Sequence, residues 1–395
     1  MVRMTGILLS SRVSRILSLS FKFLATAVIY IGFATSSFAG NDDAYVYRYL
    51  PLDPAAPAGC QYFNPIALDQ DSRVYGTTDC DGRTFVARYE NGRAIIISGD
   101  VSGYFFTRGN HHGALGAYTF DSQGVNRASL FIGGHIGIIP GVPAQNGSLV
   151  TAISDSGIAL IGSSAPPDGR PVDFLYRNGL IKRVDSNITG GAAYGLNDFG
   201  VLAGNGIHGS YRYNPWFHNY TDLNPLAGTF PMVFSIHDNG DILGYSLTIA
   251  GPNHIGVWKG KVFSDYVSVN SNDIRILLWN ESGLIVETYA TYPPSDYGGF
   301  LIPKPGKRLK LADLVLGLPN WTDILDVNER GDLVGYGGAD VNGFDESFLL
   351  RRVRASVGAT SARAASAQRV VRRLTAADRH LLVSASFGRA LHQER

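Results

Sequence analysis

The sequence predicts an all-β protein, a β-propeller of seven four-stranded blades. Three observations lead there. Glycine is 47 of 395 residues and only 17% of side chains are charged, with 20 tyrosines and 20 phenylalanines, the profile of a turn-rich β chain. A short turn pattern recurs along the chain. The repeats recur about every 43 residues and each offers four short strands, which is the period of a propeller blade.

The turn pattern is an apolar pair, then Asn, Asp or Ser, then Asp or Glu, any residue, and Gly, before a second apolar run. Five copies are full: Ala152 to Gly157, Gly195 to Gly200, Ser235 to Gly240, Leu278 to Gly283 and Asp326 to Gly331. Two copies are degenerate, Ala67 to Ser72 and Thr119 to Gly124. Glycine supplies the left-handed backbone position of the turn, and Asp or Asn closes it through its side chain. Aromatic runs such as Phe174-Leu175-Tyr176 and Val257-Trp258 follow, several leading into a second tight turn: Asn91-Gly92, Asn178-Gly179, Lys259-Gly260-Lys261 and Pro305-Gly306. Two hairpins per unit make four antiparallel strands. Such a sheet must stack on neighbours, and radial closure removes most exposed edges. The last unit stops after three strands at Phe348-Leu349-Leu350, and the spare strand Ala44–Leu50 is placed to complete it. Counts of six or eight blades, and an open β-solenoid, are alternatives that the pattern leaves open.

The domain reading is a signal peptide over 1–39, a propeller over 40–352 and a basic Ala/Ser/Arg-rich extension over 353–395. A basic stretch to Lys22, an apolar run Phe23–Ala34 and the small-residue site Ser37-Phe38-Ala39 follow the order of a secretory leader. The expected location is therefore the periplasm or the outside of a bacterial cell. Export makes Cys60 and Cys80 a disulfide candidate. Pairing Leu68 with Arg73 across the first turn puts Cys60 opposite Asp81, one position from Cys80. The body 41–350 carries 20 basic and 31 acidic side chains, which argues against a nucleic-acid partner. The tail has apolar residues at helical spacing (Val370, Leu374, Ala377, Leu381, Ala385) among arginines, a pattern suited to an anionic envelope surface or to the protein's own acidic body.

The turn-plus-strand pattern resembles the HAF repeat of exported bacterial proteins over roughly residues 60–350. Leu196 to Gly204 and Val327 to Tyr336 are its best copies. The name-giving His-Ala-Phe is absent, and Asp173-Phe174-Leu175, Gly299-Phe300-Leu301 and Ser347-Phe348-Leu349 stand in its place. The resemblance implies export and a propeller-like fold, and transfers no catalytic residues.

Candidate chemistry is sparse. Asp155, Asp198, Asp238, Glu281 and Glu329 share one turn position, so a closed ring puts them on one face, interrupted by Gln70 and Ser122. Carboxyls about 5–10 Å apart across a cleft would suit glycoside hydrolysis, but turns of neighbouring blades are expected to be too widely spaced except near the axis. Asp69-Gln70-Asp71 and Asp79 to Gly82 lack the continuation of a calcium loop. His111, His112 and His135 fall in the irregular second unit and read as loop histidines. No HExxH, GxSxG or P-loop is present. The reading calls for no metal and no cofactor. Among the aromatics, Tyr211, Tyr213, Trp216 and Tyr220 cluster in one unit, and the segment from Tyr292 to Tyr297 interrupts a hairpin as a candidate recognition loop. The leading function is a non-catalytic exported binding or scaffolding module for a glycan or an envelope protein. The alternative is a carbohydrate-active lyase or hydrolase with its site at the channel mouth.

Overall fold

A computed structural model describes residues 45–143, 147–163, 172–184, 192–206, 209–248, 251–270, 273–291, 297–315, 317–319, 321–338 and 346–354. They form seven four-stranded antiparallel sheets, the blades of a β-propeller. Blade 1 holds Cys60–Leu68, Val74–Cys80, Arg83–Glu90 and Arg93–Asp100, and blade 2 holds Tyr104–Gly109, Leu115–Phe120, Asn126–Ile132 and His135–Ile138. Blades 3 to 6 begin at Ser148, Ala192, Thr229 and Asp273. Blade 7 takes Trp321–Val327, Leu333–Gly338 and Glu346–Arg354 from the end of the chain, and its outer strand is Tyr45–Pro51. The spare strand thus closes the ring as expected. The propeller runs two residues past the expected boundary, to Arg354. The leader over 1–39 and most of the tail lie outside the described residues.

Closure is visible in the packing. Each blade's first strand packs against the first strand of the next, and the first strand of blade 7 against that of blade 1, so these seven strands surround the axis. The buried side chains fall into seven clusters, one for each gap between blades. Leu301 and Val286 of blade 6, for example, pack on Leu333 and Phe348 of blade 7. The alternating pattern of each strand thus buries one side against each neighbour.

Each first turn has one geometry. The anchor residues are Asp69, Asn110, Ser154, Asn197, His237, Asn280 and Asn328. Each anchor carbonyl accepts from the N–H three residues on, and each anchor N–H donates to the carbonyl four residues on. The residue three positions on has positive φ in all seven, glycine in six and Ser72 (φ 64°) in blade 1. This corrects the sequence reading of blade 2. The turn Asp121 to Gly124 joins its second and third strands at the opposite end of the blade, whereas Asn110-His111-His112-Gly113 occupies the first turn. The irregular spacing of the second unit disappears with that correction.

The first strands carry a β-bulge three residues before the anchor in six blades, and blade 6 pairs without one. The bulge drives a carbonyl towards the second strand. A Cβ on Gly335 would lie 2.1 Å from the carbonyl oxygen of Asp323, which explains the glycine that ends that apolar run. In unbulged blade 6 the same position is Glu287, buried and held by Arg308 through bonds of 2.8 and 2.9 Å. In blade 1 two bulges also reset the register. Leu68 faces Val74 rather than Arg73, and Cys60 faces Cys80 directly, Cα to Cα 4.2 Å, joined in a disulfide. A disulfide fits an oxidising compartment. Among the described residues no helix is long and apolar enough to cross a membrane.

Candidate functional site

Strand direction alternates, so the first turn of every blade and the hairpin between its third and fourth strands emerge on one face. Around the axis on that face run Gln70, His111, Asp155, Asp198, Asp238, Glu281 and Glu329, each the residue after its anchor. The ring is therefore interrupted by Gln70 and His111, not by Ser122. These turns lie close to the axis, and neighbouring ones touch. Each acid reaches back to the turn of the preceding blade and accepts from its backbone. The His111 N–H donates to Asp155 (2.9 Å), Ser156 to Asp198 (2.7 Å), Asp198 to Asp238 (2.8 Å), Asp238 to Glu281 (3.2 Å) and Glu281 to Glu329 (2.7 Å). Glu329 closes on Gln70, whose side-chain oxygen accepts at 3.0 Å. A second circle lies beneath. The amide nitrogens of Asn110, Asn197, Asn280 and Asn328 donate to the anchor carbonyl of the next blade at 2.8–3.1 Å. Asn serves here better than Asp because one side chain closes its own turn and still has a donor left. The turn acids are thus blade-to-blade fasteners.

Their electrostatics follow from crowding. Burial pushes the Glu281 carboxyl up to about 7, and neighbouring Asp238, Glu329 and Asp198 push the same way. Asp238 also sits above the ordinary range, chiefly through burial. His237, stacked on Trp279 and buried, is held down at about 3 and is neutral, so its 3.6 Å approach to Glu281 is no ion pair. His111 behaves oppositely. Burial works against its charge, but the 3.0 Å bond from Nδ1 to Asp155 and the nearby carboxylates of Asp326 and Glu329 hold it near 9. Burial alone would raise Asp155, but the side-chain bond, charge and backbone N–H of His111 together outweigh it and lower the carboxyl.

The wall below the ring is asymmetric. Two residues before the anchor stand Ala67, Arg108, Ala152, Gly195, Ser235, Leu278 and Asp326. The charged pair flanks blade 1, and blades 3 to 5 present small neutral residues. Asp326 accepts from the Leu68 N–H across the seam (2.7 Å) and from Val327 (2.8 Å), and burial raises its pKa. Asp323, three residues earlier on the same strand, is pushed up to about 6 by burial, which the charge of Arg108 only partly offsets. Sequence reasoning missed Arg108, Asp323 and Asp326 as a group, because only ring closure places blades 7 and 2 on either side of blade 1.

The aromatic expectations divide. Tyr211 and Tyr213 are buried between blades, with Tyr220 stacked on Tyr211, so they are packing residues and not an exposed surface. Trp216 is exposed, and so is Phe217, at 80%. They sit in a four-residue loop between Asn214 and Asn219, where the equivalent hairpins of blades 1, 2, 3, 5 and 6 have two-residue turns. Asn214 Oδ1 accepts from the Trp216 N–H (3.0 Å), and His218 takes a positive φ of 50°. The indole lies against Gly200, with Lys182 of blade 3 over its face at 4.6 Å. Exposed Phe199 precedes Gly200, and exposed Leu180 lies two residues from Lys182. Tyr292 lies outside the described residues. Tyr297 opens the third strand of blade 6, and its side chain is outside them too. Among the described residues no group of three or more His, Cys, Asp or Glu is arranged to hold a metal ion.

No family model matches the chain, and no curated protein matches it. Many solved structures share its fold. One is an oligogalacturonate lyase from Vibrio parahaemolyticus, at TM-score 0.52 and 12% identity over 80% of this chain and 93% of that one. The propeller domain of the Trilobed protease from Pyrococcus furiosus matches at TM-score 0.45 and 9% identity, over 65% and 84% of the two chains. A puromycin-hydrolysing peptidase from Mycobacterium tuberculosis matches at 0.44 and 14%, over 80% and 55%. At these identities the likeness is one of fold alone.

Proposed function

We propose that this chain is an exported, non-catalytic binding or scaffolding module that holds a glycan or an envelope protein on its turn face. One observation carries the reading. Blade 4 departs from its sister hairpins to lift Trp216 and Phe217 into solvent beside Phe199 and Leu180, across the edge of blades 3 and 4. Exposed rings on a rigid blade suit the apolar faces of sugars or peptides. The loop also holds a bulky residue, His218, at positive φ, a conformation that costs free energy and tends to persist at functional positions. The disulfide and the HAF-repeat resemblance support export. The alternative, a carbohydrate-active lyase or hydrolase, is favoured by Arg108, His111, Asp323 and Asp326, unlike residues gathered on one side of the axis.

The test incubates the full chain with bacterial and plant polysaccharides, following retention by sedimentation and fragment release by mass spectrometry. Retention without fragments is expected, with retention falling at least tenfold in the Trp216→Ala/Phe217→Ala variant. Time-dependent fragments that vanish with heat-treated protein would overturn the binding reading in favour of the enzyme.

A further inference from the structure

We infer that the outer hairpins of blades 3, 4 and 5 seat the propeller on an anionic lipid surface, with Leu180, Phe217 and Val262 as the tips that enter it. The inference goes beyond the reading above. It adds a second partner, and only the blade 4 loop is common to both.

The three hairpins share one plan. Each joins the third strand of its blade to the fourth, so all three open on the turn face and at its rim. Each holds an apolar side chain out in water: Leu180 is 76% exposed, Phe217 80% and Val262 69%. A single exposed apolar side chain needs no explanation, but one on the outer hairpin of three successive blades is a pattern. Cations stand beside the tips. Residues 177–182, 214–219 and 259–262 hold Arg177, Lys182, Lys259 and Lys261 and no carboxylate. Among the described residues no ion pair neutralises these four. The body carries 31 acidic against 20 basic side chains, so this part of the rim inverts the sign of its surroundings. Blade 1 has the other arrangement, with Glu90 and Arg93 flanking Asn91-Gly92 and no apolar tip.

Shape and charge select the occupant. A short peptide or sugar needs a groove or platform that it can cover, whereas these tips belong to three separate blades. Side chains that project separately enter a bilayer interface separately, each burying its own apolar surface. Lysines beside them keep their ammonium groups among the lipid phosphates while their stems follow the apolar part. Lys182 is placed for this, its Nζ 4.6 Å from the centre of the Trp216 ring. Indole itself favours the interface, apolar in body and polar at one edge. The axial carboxylates set the posture. Laid flat, the turn face would bring Asp238, Glu281 and Glu329 against lipid phosphates. Resting on the rim of blades 3 to 5 tilts the ring about blade 4 and lifts the far side, where Glu329 lies.

The test sediments the full chain with vesicles of phosphatidylcholine alone and of phosphatidylcholine and phosphatidylglycerol in equal parts. Binding to the anionic vesicles should exceed binding to the neutral ones at least tenfold and weaken as salt rises. Leu180→Ser/Val262→Ser and Lys259→Gln/Lys261→Gln should each weaken it at least fivefold. All four side chains are exposed, so both variants should melt with the parent. Fluorescence locates the contact. Trp216 is exposed, whereas Trp258 and Trp321 are buried and Trp279 is half-buried. Bromine-labelled lipid should quench the parent and not Trp216→Phe. Vesicle binding that survives both double substitutions without quenching would belong to the arginine-rich tail and overturn the inference. So would no binding by the parent. Polysaccharide retention by Leu180→Ser/Val262→Ser should match the parent, because Trp216 and Phe217 stay in place. Retention lost together with vesicle binding would make the tips one glycan surface and overturn the lipid assignment. Failure on vesicles alone leaves the polysaccharide result, and with it the binding reading, untouched.

Discussion

Blade 1 has two seams, and they are built differently. The seam with blade 7 is sewn by polar bonds. Asn328 donates to the Asp69 carbonyl, Glu329 to Gln70, Arg330 to Asp71, and the Leu68 N–H to Asp326. The seam with blade 2 has no turn-to-turn bond among the described residues, and Gly109 instead lies flat against Ala67. The two seams also differ in how the chain reaches them. The bonds of the first seam join residues about 260 positions apart, whereas blades 1 and 2 follow each other directly. Bringing distant segments together carries the larger loop-closure entropy. Turn-to-turn bonds also join the consecutive blades from 2 to 7, so the seam between blades 1 and 2 stands apart in being sealed by apolar fit, while the closing seam is the one whose polar bonds must hold the two ends of the chain together.

The largest expected effect is therefore at Asn328. Its Oδ1 accepts from the Arg330 and Asp332 N–H groups, both at 3.0 Å, while Nδ2 holds Asp69 at 2.9 Å, and the residue is fully buried. Asn328→Ala leaves three backbone groups without their partner, at about 1–3 kcal/mol each before relaxation or water entry. A loss of about 3–5 kcal/mol is expected from urea denaturation. A loss below about 1 kcal/mol would mean that the polar seam does not hold the ring, and the contrast would collapse.

How much of this is legible in the sequence depends on how local the signal is. The first turns are local chemistry, so their pattern, the blade count and the closing strand all read directly from the chain. The error in blade 2 has the same origin. Asp121 also closes a turn through its side chain, accepting from Gln123 at 2.8 Å and Val125 at 3.0 Å. Nothing local says which end of a blade such a turn occupies, and only the uneven spacing betrays it. The turn acids are visible in the sequence, but not their use, because each bonds to a neighbour about 40 residues away. Tyr211 and Tyr213 cluster in the sequence as candidates for either a contact surface or blade packing, and they are core, since alternation alone does not say which side meets another blade. Arg108 and Asp323 are beyond sequence reasoning as a group. Their blades flank blade 1 only after the last blade meets the first.

The disulfide sharpens the same contrast at a smaller scale. Cys60 and Cys80 are 20 residues apart and tie the first two strands of blade 1 together at the end away from the turn ring. On the chain-entropy model a loop of that size contributes about 3 kcal/mol. Cys60→Ser/Cys80→Ser, or full reduction, should lower stability by about that amount without changing the native circular dichroism. If the loss exceeds that of Asn328→Ala, the integrity of blade 1 itself, rather than its polar seam, governs the ring.

The smallest effect belongs to the apolar seam. A Cβ on Gly109 would lie 2.3 Å from the Cβ of Ala67 and 2.8 Å from a methyl of Leu115. The leucine can turn aside, but the Ala67 Cβ is fixed to its strand, so Gly109→Ala must push blades 1 and 2 apart. Overpacking of this kind costs about 1–3 kcal/mol. Gly137→Ala on the fourth strand of blade 2 is the control, because its added methyl meets nothing within 4 Å. Ala67→Gly should restore most of the loss in the double variant, since it removes the methyl that the new side chain would strike. Rescue measured by thermal denaturation would show that steric fit alone seals this seam. Additive losses would mean that some other contact between the first two blades carries it.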